Sequence, residues 1–266
     1  MTEIINLKNI DKNYGDKTIF ENLNLSIQKG ERIGIVGPNG AGKTTLCEII
    51  AGVRDINKGK VTVQESEKIG FQFQETFTPA GIKPWDFINY YLTAFNINIS
   101  PEKLQKMFES FGVSNFINKS FHKLSGGQKQ RVNIVLSMIY DPDLLILDEL
   151  GSGLDLESVQ KIYDEIKVFL QPSDKTLLMI SHDMDELEMF CNKILFINDG
   201  KIVSEKNVKN ITNEFGSVKK YVQEQFKEYK IGAYEAENLS DKDLAKNTKW
   251  MKNLNKLNKK RVKDDK

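Results

Sequence analysis

The segment Gly37-Pro38-Asn39-Gly40-Ala41-Gly42-Lys43-Thr44 constrains this chain more than any other, because its glycines, lysine and threonine stand at the spacing of a phosphate cradle. It follows the short apolar run Arg32-Ile33-Gly34-Ile35-Val36, which reads as a buried strand, and precedes residues 44–51, whose apolar spacing is helical. Strand, glycine turn and helix in that order put bare backbone N–H groups and the positive end of a helix dipole at one point. The glycines let the backbone curl around phosphate oxygens. Lys43 supplies a point charge for β- and γ-phosphates, and Thr44, with Thr45 beside it, offers a hydroxyl toward Mg²⁺.

A second acidic feature stands downstream. Leu144-Leu145-Ile146-Leu147-Asp148-Glu149 is an apolar strand ending in two adjacent carboxylates, so that Asp148 is placed to hold Mg²⁺ through water and Glu149 to polarise an attacking water. Between cradle and acidic strand lies Leu124-Ser125-Gly126-Gly127-Gln128. Ser-x-x-Gln there is a capping box, with Ser125 as N-cap of the helix that contains Arg131. A cap does not need two consecutive glycines, which weaken a helix start, so Gly126 and Gly127 point to close backbone approach of a ligand.

Around these motifs the chain alternates short strands and helices. Residues 3–27 read as antiparallel strands with a turn at Tyr14-Gly15-Asp16, and 59–63 and 68–73 as two further strands. Residues 84–96, 101–111 and 126–140 read as helices inserted in the middle. The runs 144–147 and 177–180, separated by an amphipathic helix over 156–169, resume a parallel sheet. Residues 194–203 form a hairpin about Asp199-Gly200. The core is expected to end there, giving a domain over 1–204, with the helical insertion at about 79–140, and a lysine-rich extension over 205–266. Within the last 21 residues Trp250, Met251, Leu254 and Leu257 can share one face of a short basic helix, a candidate contact with anionic membrane.

Composition narrows the partners. Lys and Arg total 38 against 37 Asp and Glu, a net charge of +1, so nothing draws the whole chain to nucleic acid. Cys47 and Cys191 lie in apolar helical patterns without metal-ligand spacing and read as buried thiols in a reducing compartment. No apolar stretch reaches the roughly 20 residues of a transmembrane helix, and the N-terminus has no signal-peptide pattern, so a cytoplasmic protein is expected.

Leu-Ser-Gly-Gly-Gln between a phosphate loop and an acidic strand end resembles the signature of ABC ATPases, over about residues 4–203. The resemblance implies an α/β fold: a P-loop NTPase (RecA-like) core with an N-terminal antiparallel β subdomain and an inserted helical subdomain. It implies that Tyr14 stacks on adenine and that Gln74, with Gln72 as a near rival, is the Q-loop glutamine at the metal. Ser152-Gly153-Leu154-Asp155 resembles the D-loop and Ser181-His182-Asp183 the switch-histidine segment. One departure is visible: Leu150-Gly151 stands where the family usually has Pro-Thr.

The same resemblance implies ATP and Mg²⁺ as ligands, and a head-to-tail pair of ATPase subunits with each ATP between the phosphate loop of one and Ser125–Gln128 of the other. Glu149, His182 and Lys43 would be catalytic. A separate integral membrane permease is the expected partner, bound to the segment 78–95 with Pro84, Trp85 and Phe87, at the cytoplasmic face of the membrane. Export is favoured over import. The stretch between Lys43 and Ser125 is too short for the coiled coil of DNA-repair members, and there is no second ATPase domain as in translation-factor members. A soluble single-domain ATPase of cofactor assembly is the alternative.

Overall fold

The computed structural model describes residues 2–64, 67–72, 81–151, 154–172, 174–229 and 231. Two long strands, β1 (Glu3–Tyr14) and β2 (Lys17–Gln28), pair antiparallel, and β4 (Lys58–Val63) adds to the free edge of β1, giving a three-stranded sheet ordered β2-β1-β4. The second sheet has six strands, β3 (Arg32–Val36), β5 (Ile69–Phe71), β6 (Leu144–Asp148), β7 (Thr176–Ile180), β8 (Lys193–Asn198) and β9 (Lys201–Asn207), in the order β5-β6-β7-β3-β8-β9. All its pairs are parallel except the β8–β9 hairpin. Asp199 and Gly200 turn that hairpin with φ of 45° and 69°, as their type I′ chemistry requires.

Alternation along the central strands divides the core in two. Leu145, Leu147, Leu177, Met179, Ile194 and Phe196 face one side, and Leu144, Ile146, Leu178, Ile180, Leu195 and Ile197 face the other. The second face packs on the three-stranded sheet and on α1 (Lys43–Ile50), whose Leu46, Cys47, Ile49 and Ile50 are buried. The first receives the inserted helices α2 (Pro84–Ala94), α3 (Pro101–Ser110) and α4 (Gly126–Met138), then α5 (Leu156–Phe169) and α6 (Met184–Phe190). Both cysteines are buried, and burial pushes their thiols up, away from the reactive thiolate.

The chain does not leave this core at residue 204. Strand β9 runs through that point, and α7 (Val208–Phe215) and α8 (Val218–Glu228) bury Val208, Ile211, Val218, Tyr221, Val222 and Phe226 in the first-face core. Ring contacts fix α8: Phe226 meets Phe196 edge-on at 5.7 Å, and Tyr229 stacks on Phe196 at 6.0 Å. The expected basic helix near Trp250 lies outside the described residues. Among the described residues no helix is long and apolar enough to cross a membrane.

Candidate functional site

Strand β3 delivers the chain into the loop 37–42, where Gly37, Gly40 and Gly42 take φ of 147°, 80° and 101°, conformations that side chains resist. Two of these glycines are also steric necessities. A Cβ on Gly37 would stand 2.0 Å from the backbone oxygen of Ile197 on β8, and one on Gly42 would stand 2.6 Å from the ring of Phe20 on β2. Ala41 closes the turn by donating to the Pro38 carbonyl at 3.2 Å, and Gly42 then caps α1. Asn39 and Gly40 are exposed at the tip. Gly37→Ala is expected to cost about 3 kcal/mol, because the clashing oxygen belongs to a central strand and cannot give way. Urea denaturation checks it, and an unchanged midpoint would mean that the loop repacks.

Lys43 Nζ donates to the carbonyls of Gly37 at 2.8 Å and Pro38 at 2.9 Å, which holds the ammonium across the mouth of the loop. Thr44 Oγ1 donates to Asp148 Oδ2 at 2.7 Å, joining the start of α1 to the end of β6. Thr45, one residue on, is half-buried on the same helix. Asp148 is 2% exposed, and its Oδ1 is buried without a hydrogen-bond partner among the described residues. Burial raises its carboxyl above the usual range, Thr44 pulls it back, and the neighbouring Glu149 pushes it up again. A buried carboxylate with one bonded oxygen and one orphan, beside a threonine hydroxyl, has the oxygen chemistry of a divalent-cation site.

Glu149 follows on the same strand end with φ of 55°, unusual for a residue with a side chain. Its N–H donates to Ile180 at the end of β7 at 2.9 Å. His182, two residues beyond Ile180, brings Nε2 to 3.3 Å from Glu149 Oε1. Behind His182, the buried Glu186 carboxylate accepts hydrogen bonds from Ser181 Oγ and from the Tyr163 hydroxyl of α5. Burial holds the Glu186 carboxyl above its ordinary range. A cavity of about 280 Å³ opens beside His182, lined by Gly37, Pro38, Asn39, Lys43, His182 and, from the C-terminal helix, Phe226; Thr44, Asp148 and Glu149 do not line it.

The expected residues thus divide. Gly37 to Thr44, Asp148, Glu149 and His182 come together at the ends of β3, β6 and β7. Tyr14 stands at the tip of β1, 41% exposed, with the Lys12 ammonium 4.7 Å and the Arg54 guanidinium 5.6 Å from its ring centre. Ser125, Gly126, Gly127 and Gln128 do not line the cavity. They form the capping box reciprocally, Gln128 N–H to Ser125 Oγ at 3.2 Å and Ser125 N–H to Gln128 Oε1 at 3.1 Å, with Ser125 and Gly126 exposed. Gln74, Ser152 and Gly153 lie outside the described residues. Its near rival Gln72 is buried at the end of β5 and reaches the Asp148 carbonyl at 3.4 Å. Asp155 caps α5, and its hydrogen bonds from Ser158 hold its carboxyl below the usual range.

A phosphate cradle at the carboxyl end of a parallel strand, with an acidic neighbouring strand end, defines a P-loop nucleotide hydrolase. A family profile described as ABC transporter matches residues 20–151, and the chain is 31% identical over 210 residues to the lantibiotic transport ATP-binding protein SrtF of Streptococcus pyogenes, covering 76% of this chain and 90% of that one. The chain belongs to the family of ABC transporter ATP-binding proteins, and it hydrolyses ATP. It is also 31% identical over 224 residues to the spermidine/putrescine import ATP-binding protein PotA of Spiroplasma citri, covering 80% of this chain and 64% of that one. Among solved structures, an ATP-binding cassette dimer in a post-hydrolysis state with ADP and Pi superposes with a TM-score of 0.66 at 26% identity, over 77% of this chain and 98% of that one.

Proposed function

We propose that this chain powers substrate movement through a separate integral membrane permease, working as a pair of ATPase subunits at the cytoplasmic face of the membrane. The observation that carries the reading is the convergence of the Thr44–Asp148 pair and the Glu149–His182 pair beneath one phosphate loop. Loop amides from Gly37 to Gly42 and the start of α1 receive the phosphates of ATP, and Tyr14 offers its ring to adenine. Lys43 exchanges two neutral carbonyls for charged β- and γ-phosphate oxygens, a stronger pairing. Thr44 and Asp148 would hold Mg²⁺, with Gln74 as a further ligand; when bound, the ion neutralises charge on the phosphates. Glu149 aligns a water against the γ-phosphorus and takes its proton as the water oxygen–phosphorus bond forms and the bond to the β-phosphate bridge breaks. His182 keeps the Glu149 carboxylate in place.

The second subunit follows from the exposed helix start. Ser125 to Gln128 do not line the cavity at the chain's own loop, and a glycine-bare N-terminus suits the γ-phosphate held by another copy. The dimeric relative with ADP and Pi supports a pair of subunits. For the permease, α2 and its C-cap leave Trp85, Tyr90 and Phe95 at 40%, 70% and 65% exposure, aromatic side chains available to a cytoplasmic helix of the partner. We favour export, on the short helical insertion; polyamine import by one relative and lantibiotic transport by another support neither direction over the other. Affinity purification from solubilised membranes tests the transport reading. An integral membrane protein is expected to co-purify, and a purely soluble partner would move the assignment to cofactor assembly.

A further inference from the structure

One side chain holds two consecutive backbone carbonyls at the hydrolytic turn. Gln130, one turn into α4, donates through Nε2 to the Glu149 carbonyl at 2.9 Å and to the Leu150 carbonyl at 2.7 Å. A carboxamide nitrogen carries two hydrogens, so one group serves both acceptors. The residue so held is the one with φ of 55° at the site, a conformation that persists only where its surroundings over-determine it. They do: the Glu149 N–H is tied to Ile180 on β7 at 2.9 Å, its carbonyl is tied to α4 through Gln130, and the next side chain, Leu150, is 1% exposed in the core. With both peptide groups of Glu149 fixed, the direction of its Cα–Cβ bond is fixed, and with it the carboxylate that stands 3.3 Å from His182 Nε2.

We propose that Gln130 is a positioning residue for ATP hydrolysis, setting the aim of the Glu149 carboxylate by clamping the 149 and 150 carbonyls. This turn has Leu150-Gly151 where the family usually has Pro-Thr, so the backbone lacks the stiffness that proline supplies, and a side-chain clamp takes over that constraint. The inference rests on the reading of Glu149 as the group that aligns water. A structural brace alone would change stability and nucleotide binding together, whereas a positioning residue changes the chemical step.

The experiment is steady-state ATPase kinetics, ATP affinity and thermal melting on Gln130→Met, Gln130→Glu and Gln130→Lys, with Glu149→Gln in parallel. Met keeps the length and loses the donors, Glu keeps the shape and offers only acceptors, and Lys restores a donor that reaches both carbonyls. Met and Glu are expected to lower kcat by about 10- to 100-fold, with KM for ATP and melting temperature near those of the natural chain, and Lys to recover most of the rate. Full kcat in Gln130→Met, or losses that merely follow a fall in melting temperature and are not rescued by Lys, would overturn the proposal. If Gln130→Met fails to fold, Gln130→Glu against Gln130→Lys decides by the same criterion. Normal turnover by Glu149→Gln would instead remove the reading beneath it, while an inactive Glu149→Gln beside a fully active Gln130→Met removes this inference alone.

Discussion

Glu149→Gln is expected to lower ATP turnover by about 10³-fold while leaving ATP affinity in place, because the substitution removes the proposed general base and little else. The amide matches the carboxylate in shape, so the φ of 55° and the N–H bond to Ile180 persist. An amide oxygen or nitrogen still meets His182 Nε2 at the 3.3 Å separation, which keeps the switch segment docked. Lys43, Thr44 and Asp148 are untouched. What disappears is the negative charge that the proposed mechanism uses to polarise water and accept its proton. Two consequences separate this from unfolding. ATP still binds in equilibrium titration, and the bound, unhydrolysed ATP holds two subunits together, so gel filtration with ATP and Mg²⁺ shows a dimer that ADP does not support. Turnover at the normal rate would sink the role of Glu149.

How far the amino-acid pattern reaches depends on whether a feature is local. The phosphate loop, the Asp199-Gly200 hairpin and the capping box at Ser125 are dictated by neighbours within a few residues, and each appears where its pattern puts it. The C-terminal helices were also written locally. Val218, Tyr221, Val222, Gln225 and Phe226 fall at i, i+3, i+4, i+7 and i+8, an amphipathic face, but the lysines around them give the stretch the look of a solvated tail. Burial against Phe196 decides the matter, and no window of sequence contains Phe196 and Phe226 together.

The long-range supports of the Glu149–His182 pair come from tertiary contact. Gln130 reaches Glu149 across 19 residues, and Tyr163 reaches Glu186 across 23. From composition or spacing, Gln130 is a polar residue on a helix and Glu186 an acidic residue on another. Only the parallel order β6-β7-β3 sets the ends of these strands side by side and gives both residues something to hold. The departure at Leu150-Gly151 was visible, and its sense was not: Leu150 fills the core, and a Cβ on Gly151 would come within 3.0 Å of Glu186 Oε1.

Gly126→Ala is expected to separate fold from function in the opposite sense to Gly37→Ala. Gly126 has no positive φ, and a Cβ built on it meets nothing within 4 Å. As the first residue of α4, it gives up backbone entropy that alanine would not, so the substitution should stabilise the isolated chain by about 0.5 kcal/mol. The folded subunit therefore supplies no reason for glycine at this position. A reason exists if the γ-phosphate bound to a second copy must come against this backbone, because a methyl group then stands where the phosphate oxygens should be. Displacing that contact by an ångström or so should cost about 100-fold in turnover. In the Glu149→Gln background the same change should abolish the ATP-dependent dimer. The measurement is thus a pair, melting temperature and ATPase rate, and they should move apart. A Gly126→Ala chain that melts higher and hydrolyses at the full rate would leave Ser125 to Gln128 with no task beyond capping α4. The second subunit would then have to be sought at another surface.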